Sequence, residues 1–170
     1  MTSEEYLTNL RQRLAQYFDF KDDASCGDIP FSLLAELHSA DEGYFIVPSL
    51  KTYSVKHNEF IYALGFKDSV DVSLVQRAID YIKEEMRSMK PDREHMSSIF
   101  VLLCLCEGGV SDAAKKELLA VKFHKDYAFS LKGWSDLAVV IVDLQNGVTD
   151  CNKAGRKVEQ YFKVYMVKIY

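Results

Sequence analysis

An α+β fold with a mostly antiparallel sheet packed by helices is what this sequence predicts, and three observations predict it. Apolar residues recur at spacings of three and four in separated segments, strand-length runs of alternating or continuous apolar character fall between them, and no period of 20 to 50 residues repeats. The order α-β-β-β-α-β-α-β-β-β-α over residues 1–170 is that of a single α+β domain. Helices are expected on one face of the sheet.

The first helix is predicted over Ser3 to Phe18, with Leu7, Leu10, Leu14 and Tyr17 on one face and a capping box from Thr2 to Glu5. FSLLAELH reads as a half-buried strand, with Phe31, Leu33, Ala35 and Leu37 inward and Ser32, Glu36 and His38 outward. YFIVPS, KTYSV and FIYALGF extend it into a meander of three or four strands, in which the polar KHNE is a connection and Pro48 marks an edge or bend. Asp71 caps a second helix, Val72 to Met89, whose Val75, Ile79, Ile82 and Met86 form the buried stripe and which Pro91 stops. IFVLLCLC, Ile99 to Cys106, has no alternation and is expected at the centre of the sheet, covered on both faces. Ser111 caps a short helix from Asp112 to Ala120, and KFHKDYAFSL follows as a strand. After a Gly133-Trp134 turn, DLAVVIVDL pairs with VTDC through a type I′ turn at Asn146-Gly147. The stretch from Asn152 to Tyr170 is read as beginning in a helix.

Composition narrows the function classes. With 170 residues, 48% hydrophobic, 27% charged and a net charge of −4, the chain is neither collagen-like nor disordered, and a globally basic nucleic-acid binder is disfavoured. Residues 1–94 carry 11 basic against 17 acidic groups (−6), and residues 95–170 carry 10 against 8 (+2). Cys26, Cys104, Cys106 and Cys151 lack CxxC spacing and read as reduced core thiols. An acidic, polar N-terminus and the lack of a run near ~20 apolar residues point to a soluble cytoplasmic protein without membrane association.

Phosphate loops, GxSxG elbows and HExxH are absent, and His57-Asn58-Glu59 has HxE spacing without the PCxxC that a zinc deaminase needs. His38 shares a face with Glu36, so both could reach one ion but read as a solvated strand face, and His124 shares a face with Asp126, so the two could form an acid–base couple but read as a surface ion pair. His95 precedes the central strand, where it either has a role or satisfies a loop carbonyl. Trp134 is either a lid on the core or a contact for a partner. Lys153, Arg156, Lys157, Lys163 and Lys168 interleave with Tyr161, Phe162, Tyr165 and Tyr170, as in a docked terminal helix or a weak nucleic-acid contact.

Two resemblances complete the reading. The order helix, three strands, helix, strand over Ser3 to Cys106 is similar to the core of the PD-(D/E)xK nucleases, whose carboxylates hold a divalent metal while a lysine activates water. The ExK pair is missing after both Glu36 and Glu59, and Asp41 and Glu42 fall in a predicted turn. Glu94 to Ser98 and Lys132 to Leu144 resemble an uncharacterised prokaryotic family of hypothetical proteins, which implies a microbial source and no activity.

These features favour a small non-catalytic binding or interaction protein that self-associates or meets a protein partner. Trp134, His124, Lys132, Lys157 and Tyr161 are its candidate binding residues, and no cofactor or metal is expected. The alternative is a metal-dependent phosphodiesterase or nuclease-like enzyme using Glu36, His38 and Glu59.

Overall fold

The computed structural model describes residues 1–21, 26–39 and 56–164. Among these, one seven-stranded mixed sheet is flanked by four α-helices: α1 (Ser3–Leu14), β1 (Asp19–Lys21), β2 (Leu33–Ser39), β3 (Lys56–Phe66), α2 (Val72–Ser88), β4 (His95–Cys106), α3 (Asp112–Leu119), β5 (His124–Asp126), β6 (Trp134–Asp143), β7 (Val148–Cys151) and α4 (Glu159–Phe162). The strand order is β1-β2-β3-β4-β6-β5, with β7 also on β6. Four pairings are antiparallel, while the long central ones, β3 with β4 and β4 with β6, are parallel. The α+β class and the element order are as the sequence predicts, and IFVLLCLC occupies the centre.

Helices cover both faces, not one. The crossovers from β3 to β4 and from β4 to β6 step the same way along the sheet, so connections of one hand place α2 and α3 on a common face. There Val75, Ile79, Ile82, Met86 and Leu118 pack on Tyr62, Leu102, Val139 and Ile141. The opposite face is covered by α1 and α4, where Leu7, Leu10, Leu14 and Phe162 pack on Leu33, Ile61, Val101 and Val140. This is why β2 buries Leu33, Leu34 and Ala35 in succession and is not the half-buried strand its alternation suggests. Phe31 precedes it and packs with Tyr62 and Tyr81 on the α2 side, away from Leu33.

The capping box on α1 is present, with the Thr2 hydroxyl accepting from the Glu5 amide and the Glu5 carboxylate accepting from the Thr2 amide. The helix ends at Leu14, four residues early. The Tyr17 and Phe18 amides both turn back to the Leu14 carbonyl, so Tyr17 leaves the helical phase and stands 48% exposed. Tyr6 enters the core instead, its hydroxyl donating to the Phe162 carbonyl at 2.7 Å. The strand β1 was not legible in its polar surroundings, and KHNE lies inside β3, not in a connection. YFIVPS, KTYSV, Pro48, Asp41 and Glu42 lie outside the described residues, as do Tyr165, Lys168 and Tyr170. The Asp71 and Ser111 caps and the α2 stripe are as expected.

Two further expectations are corrected. KFHKDYAFSL contributes only β5, because Ala128, Phe129 and Ser130 take φ values of 49°, 54° and 64° and so leave the extended region. The β6–β7 hairpin has a four-residue connection, Leu144 to Gly147, in which the Gly147 amide donates to the Asp143 carbonyl and only Gly147 has positive φ. It is not a type I′ turn. As far as Val164 the C-terminal stretch does begin helically, in one 3-10 turn, Gly155–Lys157, and the single turn of α4.

Both β5 and β7 lie on the outer side of β6, and the Asn152 side chain closes the gap between them. Its carbonyl oxygen accepts from the Val139 and Gly155 amides, while its amide donates to the Val121 and Leu137 carbonyls at 2.9 and 3.0 Å. All four hydrogen bonds of a buried amide are thereby made.

Candidate functional site

Strand register brings scattered residues together at the amino ends of β3, β4 and β6. One row across the sheet reads Leu37, Glu59, Ile99, Asp136, His124, and the row beside it reads His57, Ser97, Trp134, Asp126. Alternation puts both rows on the face covered by α1 and α4. Of the sequence-predicted residues, Glu59, His124, Trp134, Lys157 and Tyr161 all gather at this end.

Glu36 and His38 do not join them. They share a face with Asn58 and Phe60, opposite to that of Glu59. The Glu36 carboxylate accepts from Lys21 at 2.6 Å and pairs with His38 at 3.4 Å, and His38 also meets Asn58 at 3.2 Å. Burial acts to raise the Glu36 pKa, but the hydrogen bonds from Lys21 and His38 outweigh it and hold it low. Glu36, His38 and Glu59 therefore cannot converge on one ion, and among the described residues no group of three His, Cys, Asp or Glu is placed to hold a metal. Cys104 and Cys106 are wholly buried, and burial pushes the Cys106 thiol up to about 12. Cys26 and Cys151 are half-buried rather than core.

At the outer edge, His124 Nδ1 and Asp136 lie 2.7 Å apart, Lys157 Nζ meets the other Asp136 oxygen at 3.0 Å, and Asp126 approaches His124 at 3.4 Å. The hydrogen bond to Asp136 raises the His124 pKa. Asp136 is held low because His124 and Lys157 outweigh its burial. Lys157 is thus engaged as a counter-ion within the fold.

Beyond β5 the chain forms a hydrogen-bonded finger, Tyr127 to Gly133. The Tyr127 and Gly133 residues bridge its base at 3.0 Å, the Lys132 amide returns to the Tyr127 carbonyl, and the Ser130 hydroxyl donates to Asp126 at 2.6 Å. Tyr127 anchors the finger by donating to the Met86 carbonyl. Buried His95 grips its far side. The Lys132 carbonyl, 2.6 Å from Nδ1, can only accept, so Nδ1 carries a proton and Nε2 in the neutral ring accepts from Ser98 at 2.8 Å. Gly133 has no room for a side chain, since a Cβ there would lie 2.1 Å from the Met96 carbonyl oxygen. The outcome is a tip with Phe129 99% and Leu131 83% exposed, beside half-exposed Met96. Trp134 is half-buried as the first residue of β6. The sequence pointed to Trp134 and Lys132 but missed Phe129 and Leu131, because KFHKDYAFSL alternates well enough to pass as a strand.

On the other side of the same end, a cleft of about 330 Å³ is lined by Arg13, Leu14, Tyr17, Phe18, Leu37, Glu59, Gln160 and Tyr161. Burial raises the Glu59 pKa.

A family described as a domain of unknown function, DUF8052, matches residues 2–164, and the chain belongs to it. No curated protein and no solved structure matches the chain.

Proposed function

For this member of the DUF8052 family, we propose a non-catalytic binding role in which the chain self-associates through the finger at the amino end of its sheet. The observation that carries this reading is the pair of exposed apolar side chains, Phe129 and Leu131, at a tip shaped by three consecutive left-handed residues, Ala128 to Ser130. Each such residue costs about 1 kcal/mol or more. A fold that maintains this strain to present two apolar side chains to water has the signature of a contact surface.

A second copy is the occupant proposed: across a two-fold axis both chains present the same apolar tip, so Phe129 and Leu131 of one cover those of the other, with Lys125 and Lys132 left at the rim. A location in the cytoplasm fits the unpaired cysteines, and among the described residues no helix is long and apolar enough to cross a membrane.

Light scattering over a concentration series tests the proposal. The wild-type chain should move from monomer towards dimer, and Phe129→Ser/Leu131→Ser should remain monomeric. A wild-type monomer at about 1 mM, where an association near −4 kcal/mol is half complete, overturns self-association.

A further inference from the structure

We infer that the cleft between α1, α4 and the amino end of β3 binds a small organic ammonium ligand, with the Glu59 carboxylate as its counter-ion and Tyr17, Phe18 and Tyr161 as its aromatic walls. The inference is independent of self-association through the finger. Glu59 is the acidic residue lining this cleft, and among the described residues it makes no hydrogen bond or ion pair. Its neighbour across the strand pair is apolar Leu37. Half-buried carboxylates are ordinarily paired, because loss of hydration is otherwise uncompensated.

Arg13 lines the same cleft but does not neutralise Glu59. Its guanidinium donates to the Tyr161 carbonyl at 3.0 Å and also hydrogen-bonds Tyr6. The cleft thus presents a carboxylate without an ion-pair partner amid ring faces and the Leu14 and Leu37 side chains, with the charged Arg13 guanidinium held at its wall by the Tyr161 carbonyl and Tyr6. A cation attached to a flat or aliphatic body matches that chemistry, by a charge-assisted hydrogen bond at one end and cation–π and apolar contact along the rest. A volume of about 330 Å³ suits a molecule of modest size.

Isothermal titration calorimetry of the full chain with phenethylammonium chloride, beside neutral 2-phenylethanol of the same shape, tests the assignment. Phenethylammonium should saturate at one site and bind about tenfold or more tightly than the alcohol. Glu59→Gln should remove that preference while binding the alcohol as wild type does. Gln160→Trp, a change at an exposed rim position, should weaken both by obstructing the cleft. Thermal melts of both variants confirm that they fold. No saturation by about 10 mM, equal binding of cation and alcohol, or an unchanged preference in Glu59→Gln overturns the inference. Dimerisation measured by light scattering is expected to be the same with and without the probe, so failure here leaves the finger's role standing.

Discussion

The two ends of the central parallel strands are built on opposite principles. At the carboxyl end, where open α/β sheets ordinarily leave a crevice for ligands, the loops close on one another. The Ser3 amide donates to Glu107 at 2.8 Å, the Glu107 amide reaches the Phe66 carbonyl, and the Leu144 amide reaches the Cys106 carbonyl. Asp143, 2% exposed, accepts from both the amide and the side chain of Asn146. Gly108 touches the Asp68 backbone so closely that a Cβ would lie 2.6 Å from its carbonyl oxygen. The amino end instead keeps a strained finger, exposed apolar residues and a carboxylate without a partner. The geometry of a parallel sheet therefore does not by itself locate a site; the loops decide which end stays open.

Asn152→Ala should show the largest effect, since it leaves four backbone groups between β5 and β7 unpaired. We expect a loss of about 3 kcal/mol or more in urea unfolding. A loss under about 1 kcal/mol would mean that water replaces the side chain and that the outer edge of β6 is looser than described.

Gly108→Ala should cost about 2 kcal/mol, because its clash is with backbone that the closed end cannot move. Ala128→Gly, in the finger, should do the reverse and raise stability by up to about 1 kcal/mol, read as a higher Tm. If both changes proved neutral, the contrast between a packed end and a strained end would fail.

Phe129→Ser/Leu131→Ser should change monomer stability by less than about 0.5 kcal/mol, as expected for side chains already in water. A marked loss of stability would show that the tip packs within its own chain.

The smallest effect concerns pH. With its pKa raised above the ordinary 6.5, His124 contributes stability that is fully present below 6.5 and fades as pH rises through the folded-state value. Asp136, lowered from 3.8, contributes stability that is present above 3.8 and fades as pH falls through its folded-state value. Melts of wild type against His124→Gln should therefore differ most between about pH 4 and 6.5 and converge in alkali, with a small amplitude because half of the imidazole is exposed. Glu59 shares the slope of His124 and opposes that of Asp136: its raised pKa means stability falls as pH rises from 4.5 through the folded-state value, and Glu59→Gln should flatten that decline.

Much of this was legible in residues alone. The α2 stripe and its Asp71 cap, the Ser111 cap and the doubly covered Ile99 to Cys106 strand follow from periodicity and local hydrogen bonding, which act over a few residues. The site was legible only in pieces. Trp134, His124, Lys157, Tyr161 and Glu59 could each be singled out, yet Glu59 was grouped with Glu36 and His38, from which the pleat separates it.

Side-chain spacing and capping within single segments are enough to give the α+β class, the order of elements and the hydrophobic stripes. Long-range packing settles the rest: helices cover both faces, the central pairings are parallel, Asn152 stitches β5 to β7, and Phe129 and Leu131 stand in water. Those outcomes depend on which segments meet across long chain separations, and on register, where a shift of one residue reverses every side chain.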